Sequence, residues 1–152
     1  MQKEKAASQD ELQRAKADFL NSKRRLEADR ITDKKRIESD MIQKVLPLYD
    51  SFAMATADKA VWDSVDKAWR TGVESIFTQL KSLLTAYDVS EIEAEGMDFN
   101  PNLHEAVSTV SVDNKNMDHK VVSVIQSGFV RAIDGQEQLI RPARVTIGEY
   151  LN

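Results

Sequence analysis

The stretch "FNPNLHEAV", residues 99–107, gathers the residue types in this chain that are most able to do chemistry. It places His104 beside Glu105, a pair of types used in acid/base catalysis and in metal sites. Neighbours in sequence point in different directions in a helix or strand, so their order alone does not make a dyad. The only other histidine, His119, lies in an unrelated polar segment, "VDNKNMDHK", and does not give metal-ligand spacing. We therefore expect neither a metal ion nor a catalytic pair here.

The rest of the sequence also lacks the motifs of an enzyme. There is no cysteine, which excludes thiol nucleophiles, thiolate metal sites and disulfides. There is no Gly-rich phosphate loop and no GxSxG motif, so we expect no cofactor. Asn-Pro and Pro-Asn favour turns, and "NLHEAV" is suited to open a short helix with Asn102 as its cap. These observations favour a structural role for the segment and a protein that is not an enzyme.

The charge and hydropathy of the sequence narrow the possible classes of protein further. The formal net charge is −4, with a mildly basic first third and an acidic remainder. Basic residues alternate with acidic ones near the start, which does not favour nucleic-acid binding. No segment approaches the roughly 18 apolar residues of a membrane span, and the start has no signal-peptide core. We expect a soluble protein that contacts neither nucleic acid nor membrane.

A long helix is expected first, because residues 8–46 contain neither Gly nor Pro and consist mostly of strong helix formers. Its apolar residues are sparse and recur at intervals of seven and eleven, at Leu12, Phe19, Leu20, Leu26, Ile31, Ile37, Ile42 and Leu48. An eleven-residue repeat keeps one face nearly straight along a helix, so two such helices can pair. We expect pairing between two chains, parallel or antiparallel. Pro47 should end or kink the helix.

A second amphipathic helix is expected from about Val61 to Tyr87, with an apolar stripe that includes Trp69, Val73, Ile76 and Leu80. Gly72 lies within this stripe and costs helix stability, which suggests close approach of another helix or of a partner.

Beyond Asp88 the hydropathy pattern alternates with period two. The runs "KVVSVIQSGFVRA" and "QLIRPARVTIGEYL" are expected to form two antiparallel strands, with turn residues "DGQ" between them. Pro142 should lie at an edge or a bulge.

The predicted fold class is α+β: a long N-terminal helix that pairs in a dimer, a helical bundle, and a small C-terminal all-β domain. The predicted domains are the long paired helix at 1–47, a connecting segment with the bundle helix at 48–88, and the β domain, with four to six short strands, at 89–152. The residues predicted to form the dimer contacts are Leu20, Leu26, Ile31, Ile37, Ile42, Trp69, Ile76 and Leu80.

Several segments together resemble the GrpE family, the nucleotide exchange factors of DnaK-type chaperones. They are "NSKRRLEAD", "VLPLYDSF", "GVESIFTQL", "FNPNLHEAV", "GF" and "LIRPARVTI", in the family's order and approximate spacing. The resemblance implies a homodimer with parallel long helices, a four-helix bundle, and β domains that spread outward as wings. It further implies that a wing binds the chaperone's ATPase domain, opens the nucleotide cleft and releases ADP. The alternative is a structural coiled-coil adaptor without exchange activity.

Individual residues match the family's functional positions. Arg24, Arg25, Gly72, Ile125 and Ile147 match partner-facing positions, with a core role as the alternative for the two isoleucines. Asn100, Pro101, His104 and Arg141 match signature positions that we expect to be architectural.

The chain also departs from the family at two places. The segment "VRAIDGQEQLI" is longer than usual and has Gln138 where a partner-binding arginine aligns, so Arg131 is the nearest substitute. Relatives usually carry an acidic leader before the helix, which leads us to expect that this chain is part of a longer one. The expected location is the bacterial cytoplasm, with the mitochondrial matrix or plastid stroma as alternatives.

Overall fold

The computed structural model describes residues 1–151 and contains three α-helices, one short 3-10 helix and six strands within that range. The helices are α1 (Gln2–Ala57), α2 (Lys59–Ser64) and α3 (Lys67–Ala86). The strands are β1 (Val89–Glu91), β2 (His104–Val112), β3 (Val121–Gln126), β4 (Phe129–Ile133), β5 (Gln136–Arg141) and β6 (Ala143–Tyr150), with the 3-10 turn Lys115–Met117 before β3. The backbone divides into two compact units, residues 1–41 and a second unit that begins at Ile42. The expected order of a long helix followed by a small all-β domain is confirmed.

The first helix continues through Pro47 to Ala57, so the expectation that it ends near Pro47 is wrong. Proline inside a helix costs about 3 kcal/mol, because the ring removes one backbone donor and crowds the preceding turn. Leu46 and Tyr49, on either side, are almost completely buried, and burial of each such side chain is worth about 1.5–3 kcal/mol. Packing on both sides of the proline therefore outweighs its local cost. None of the helices in residues 1–151 is long and apolar enough to cross a bilayer.

The single helix expected from Val61 to Tyr87 is interrupted. Val65 adopts an extended conformation, with φ −78° and ψ 149°, and ends α2. Asp58 caps the start of α2, since its carboxylate accepts a hydrogen bond from the backbone N–H of Val61 at 3.3 Å. Aspartate is favoured just before a helix, and Asp66 holds that position before α3, although its side chain makes no capping hydrogen bond. These local start signals divide the predicted helix in two.

The six strands form two three-stranded sheets. The first has the order β1-β4-β5, all antiparallel. In the second, with the order β2-β6-β3, β2 runs parallel and β3 antiparallel to β6. Strand β2 lies at the edge of its sheet, and residues 105–111 of this strand are exposed on both faces. The strand count agrees with the predicted four to six.

Each of the two long alternating runs is split between the sheets, contrary to the expectation of one strand per run. Ser127 and Gly128 separate β3 from β4, and Pro142 separates β5 from β6. The backbone at Gly128 comes so close to Ala143 that there is no room for a Cβ. Pro142 has no backbone N–H to donate to a strand ladder, and it lies between β5 and β6 rather than inside either strand. The chain thus crosses from one sheet to the other at two adjacent points.

The opening segment does not form the expected short helix. The side chain of Asn100 accepts a hydrogen bond from the backbone N–H of Asn102 at 3.0 Å, which makes a turn. His104 then begins strand β2. An Asn side chain that bonds to the backbone two residues on favours a turn over a helix cap.

Two apolar clusters form the core. The first joins the later part of α1 to α3 and the first sheet, through Ile42, Leu46, Tyr49, Leu80, Leu84, Val89, Phe129 and Ile140. The second lies between the sheets and contains Ile92, Ala94, Val121, Val130, Ala143 and Val145. The β domain is therefore packed internally and also against residues 42–53 of α1.

Candidate functional site

The predicted dimer residues fall into two groups. Six of them are more than half exposed in the protomer: Leu20, Leu26, Ile31, Ile37, Trp69 and Ile76. Ile42 and Leu80 are instead buried in the first apolar cluster of the same chain. The exposed group presents large apolar surface to solvent, which is the condition for pairing with another chain. Ile42 and Leu80 stabilise the protomer itself.

The two arginines expected to contact a partner, Arg24 and Arg25, are exposed on α1. An exposed arginine retains all its donors for a carboxylate of another molecule. Gly72 lies inside α3, and a Cβ built there meets nothing within 4 Å in this chain. The close approach expected at this glycine is therefore not made by any described atom of this chain, and contact with another molecule stays a prediction.

The two isoleucines expected to face a partner differ in environment. Ile125 on β3 is 60% exposed, whereas Ile147 on β6 packs against the second apolar cluster. Ile125 borders an open groove of about 1050 Å³ together with Met54, which is also exposed. The groove is further lined by acidic residues and one arginine, namely Asp50, Glu91, Glu93, Glu95 and Arg144. Apolar and acidic surfaces therefore meet beside Ile125.

Arg131, the predicted substitute for the family's arginine, lies opposite Gln138 in the β4–β5 pairing. Its side chain points inward, however, and is only 6% exposed. Its Nε donates a hydrogen bond to the backbone carbonyl of Tyr87 at 3.0 Å. This placement favours a structural role that fixes the junction between α3 and β1. The longer segment itself forms a hairpin whose turn residues, Asp134 and Gly135, both have positive φ angles, as a type I′ turn requires.

The signature residues of the opening segment form a folded turn. His104 is 5% exposed, and its Nδ1 accepts a hydrogen bond from the backbone N–H of Asn100 at 3.0 Å. Burial lowers the pKa of His104, because desolvation disfavours the imidazolium. Pro101 lies in the exposed turn between these residues. Within residues 1–151 no group of three His, Asp or Glu side chains is arranged to hold a metal ion.

The remaining signature residue, Arg141, forms a bidentate ion pair with Asp50. Its guanidinium makes two parallel hydrogen bonds to the carboxylate of Asp50 on α1, of 2.5 Å and 2.7 Å. Gln126 Nε2 donates a third hydrogen bond to Asp50 at 3.1 Å. Next to it, the hydroxyl of Tyr49 donates to Glu91 at 3.2 Å. Burial, followed by the charge of Glu91, raises the pKa of the Tyr49 hydroxyl.

No motif of the sequence pointed to Tyr49, Asp50, Glu91 or Gln126. One signal was available: Asp50 is the single charge of "VLPLYDSF", and Arg141 is one of two arginines in "LIRPARVTI", each beside apolar residues. A charge at the border of a buried segment needs a partner of opposite sign. These side chains hydrogen-bond to one another between α1 and the strands, so the arrangement is suited to positioning these elements.

Comparison with known proteins places these features in a family. The family model described as GrpE matches residues 1–149. Protein GrpE of Lactiplantibacillus plantarum is 32% identical over 143 residues, which cover 94% of this chain and 69% of that protein. Protein GrpE of Latilactobacillus sakei is 31% identical over 149 residues, covering 98% and 72%, respectively. Protein GrpE of Caldanaerobacter subterraneus is 32% identical over 149 residues, covering 97% and 69%.

Proposed function

The chain belongs to the GrpE family, co-chaperones that act as nucleotide exchange factors for DnaK, and we propose that it performs this function as a homodimer. In the proposed dimer the α1 helices pair in parallel and the α3 helices form a bundle. The β domain of one protomer binds the ATPase domain of a DnaK-type chaperone. The factor itself makes and breaks no covalent bond, binds no nucleic acid, and works in the bacterial cytoplasm.

The observation that carries the dimer is the exposed apolar series on α1, from Leu20 and Leu26 to Ile31 and Ile37. A helix with so many exposed large aliphatic side chains and so few buried ones has little to stabilise it alone, because tertiary packing supplies most helix stability. Pairing with the same face of a second copy buries these side chains. Pairing also gives this charge-rich helix a surface to pack against.

Nucleotide exchange requires that the factor bind two states of the chaperone with different affinities. A factor shifts an equilibrium only by its differential affinity for the two states. The protein must therefore bind the open, nucleotide-free chaperone more tightly than the closed, ADP-bound one. By linkage, ADP must weaken binding of the factor by the same ratio.

The decisive experiment measures release of fluorescently labelled ADP from a DnaK-type chaperone, with and without the protein. Acceleration that saturates with added factor is expected. Ile125→Asp should weaken the effect, because it places a charge on the exposed apolar position of β3. Val110→Asp is the matched control, because it changes a partly exposed valine on β2, at the opposite edge of the same sheet. A dimer that does not accelerate release would instead be a structural adaptor.

A further inference from the structure

The β domain packs on α1 through apolar contacts that do not by themselves define one orientation. Leu46 and Tyr49 of α1 lie in the same cluster as Phe129 and Ile140 of the first sheet. Hydrophobic attraction follows the area buried and has no preferred direction. A single fixed orientation of the β domain on this part of α1 therefore needs directional contacts in addition.

Asp50 supplies such contacts to both sheets at once. Its carboxylate accepts two hydrogen bonds from Arg141 at the end of β5 and one from Gln126 at the end of β3. Strand β5 belongs to the first sheet and β3 to the second. One side chain on α1 thus fixes the ends of strands from both sheets.

A second set of hydrogen bonds closes the arrangement into a ring. The Nε of Arg141 donates to the backbone carbonyl of Ser127 at 2.8 Å, and the hydroxyl of Ser127 donates to Glu91 at 2.7 Å. Glu91 in turn accepts from Tyr49, the residue before Asp50. Two adjacent residues of α1 are therefore joined through the β domain by an unbroken path of hydrogen bonds.

The burial of the ion pair between Arg141 and Asp50 indicates that the pair fixes the orientation of the β domain rather than adding stability. The Arg141 and Asp50 side chains are only 18% and 22% exposed. At this depth the cost of removing both charges from water offsets most of their attraction, so the pair adds little net stability. A bidentate contact does, however, admit one geometry, which lysine cannot reproduce.

We infer that Asp50 and Arg141 are positioning residues that hold the β domain in the orientation by which the factor distinguishes the open chaperone from the closed one. This inference rests on the proposed function. A β domain held at one angle fits one state of the cleft, whereas a β domain that rotates on α1 adapts to both states. Loss of the pair therefore reduces the differential affinity on which exchange depends. Neither residue needs to touch the chaperone.

The test compares Arg141→Lys and Asp50→Asn with the wild-type protein. We expect the ratio of affinities for nucleotide-free and ADP-loaded chaperone to fall about tenfold, within the usual range of coupling between sites. The maximal rate of ADP release should fall with it, while affinity for the ADP-loaded form changes less than about twofold. The double variant should resemble either single variant, because the two side chains act as one unit. Asp113→Asn, at an exposed aspartate of the same domain that lies outside the groove beside Ile125, is the control.

The outcomes separate three situations. If the wild-type protein does not accelerate ADP release, the proposed function itself fails. If wild type is active but the variants lose affinity equally for both chaperone states, the pair is merely structural and the inference is overturned. If Arg141→Lys does not fold at the assay temperature, Tyr49→Phe removes only the hydroxyl bond to Glu91. That variant should lower the ratio about two- to threefold, in line with a hydrogen bond worth about 0.5 kcal/mol or more, and an unchanged ratio would overturn the inference.

Discussion

The backbone N–H of Asn100 donates a hydrogen bond to Nδ1 of His104, which requires an imidazole that is unprotonated at that nitrogen. The ring is buried and lies beside Phe99, with 5.9 Å between ring centroids. The histidine that first suggested catalysis thus serves to close the turn before β2.

A dependence of stability on pH follows from this contact. The pKa of His104 is lowered from 6.5 in the folded protein, so the unfolded chain binds more protons as the pH falls below 6.5. The free energy of unfolding should therefore decrease progressively as the pH falls from 6.5 toward the folded pKa. Denaturant titrations between about pH 5.5 and 7.5 measure this slope. His104→Asn should flatten it, and equal slopes in the wild-type and variant proteins would contradict the assignment.

Ile31 and Ile42 occupy equivalent positions of the eleven-residue repeat but should respond differently to truncation. Ile31 is exposed in the protomer, so Ile31→Ala should raise the dissociation constant of the dimer about tenfold or more. Ile42 is buried in the protomer's own core, so Ile42→Ala should cost about 2–4 kcal/mol of folding stability and leave the dissociation constant nearly unchanged. Sedimentation equilibrium and denaturant unfolding separate the two effects. A monomeric wild-type protein at micromolar concentration would refute the pairing.

Gly72 offers a pair of substitutions with opposite expectations. Gly72→Ala should stabilise the protein by about 0.5–1 kcal/mol, because a helix interior favours alanine and the added Cβ meets no atom of this chain. Aspartate differs little from glycine in helix propensity, so Gly72→Asp should leave the protomer folded. It should nevertheless reduce ADP release at least about tenfold, since an unpaired charge at an interface costs more than about 1.4 kcal/mol. Full activity of Gly72→Asp would show that this face of α3 is not an interface.

Gly128 should tolerate no side chain. A Cβ there would lie 2.7 Å from the Cα of Ala143, and backbone cannot yield as a flexible side chain does. Gly128→Ala should destabilise the β domain by about 3 kcal/mol. Thermal unfolding monitored by circular dichroism measures the loss, with Gly72→Ala as the matched glycine substitution. An unchanged melting temperature would mean that the two strand crossings separate more easily than the geometry indicates.

The elements that the sequence predicted well are those specified by neighbouring residues. The long helix follows from residues 8–46 without Gly or Pro, and the β4–β5 turn follows from Asp134 and Gly135. The errors arise where distant contacts or competing local signals decide. Continuation of α1 through Pro47 depends on burial of Leu46 and Tyr49 by residues far along the chain.

The candidate site shows the same division between local and distant information. Strict alternation would place Ile125 on the face of the buried Val121, but the β3–β6 pairing is irregular and Ile125 is exposed. The inward direction of Arg131 depends on a carbonyl 44 residues away. The contact between Asp50 and Arg141 spans 91 residues, and no periodic pattern connects two single charges at that separation. Only the folded chain shows that they meet.

The edge position of β2 has a consequence for handling the protein. The strand pairs with β6 along one side, and no other strand in residues 1–151 covers its opposite side. It contains neither lysine nor proline, the residues that usually protect such edges, and its second half, "VSTVSV", carries no charge. In concentrated or partly heated samples, the β2 edges of two molecules can therefore pair with each other, and repeated edge-to-edge pairing leads to fibrils. Thr109→Lys should slow this growth, as light scattering can measure.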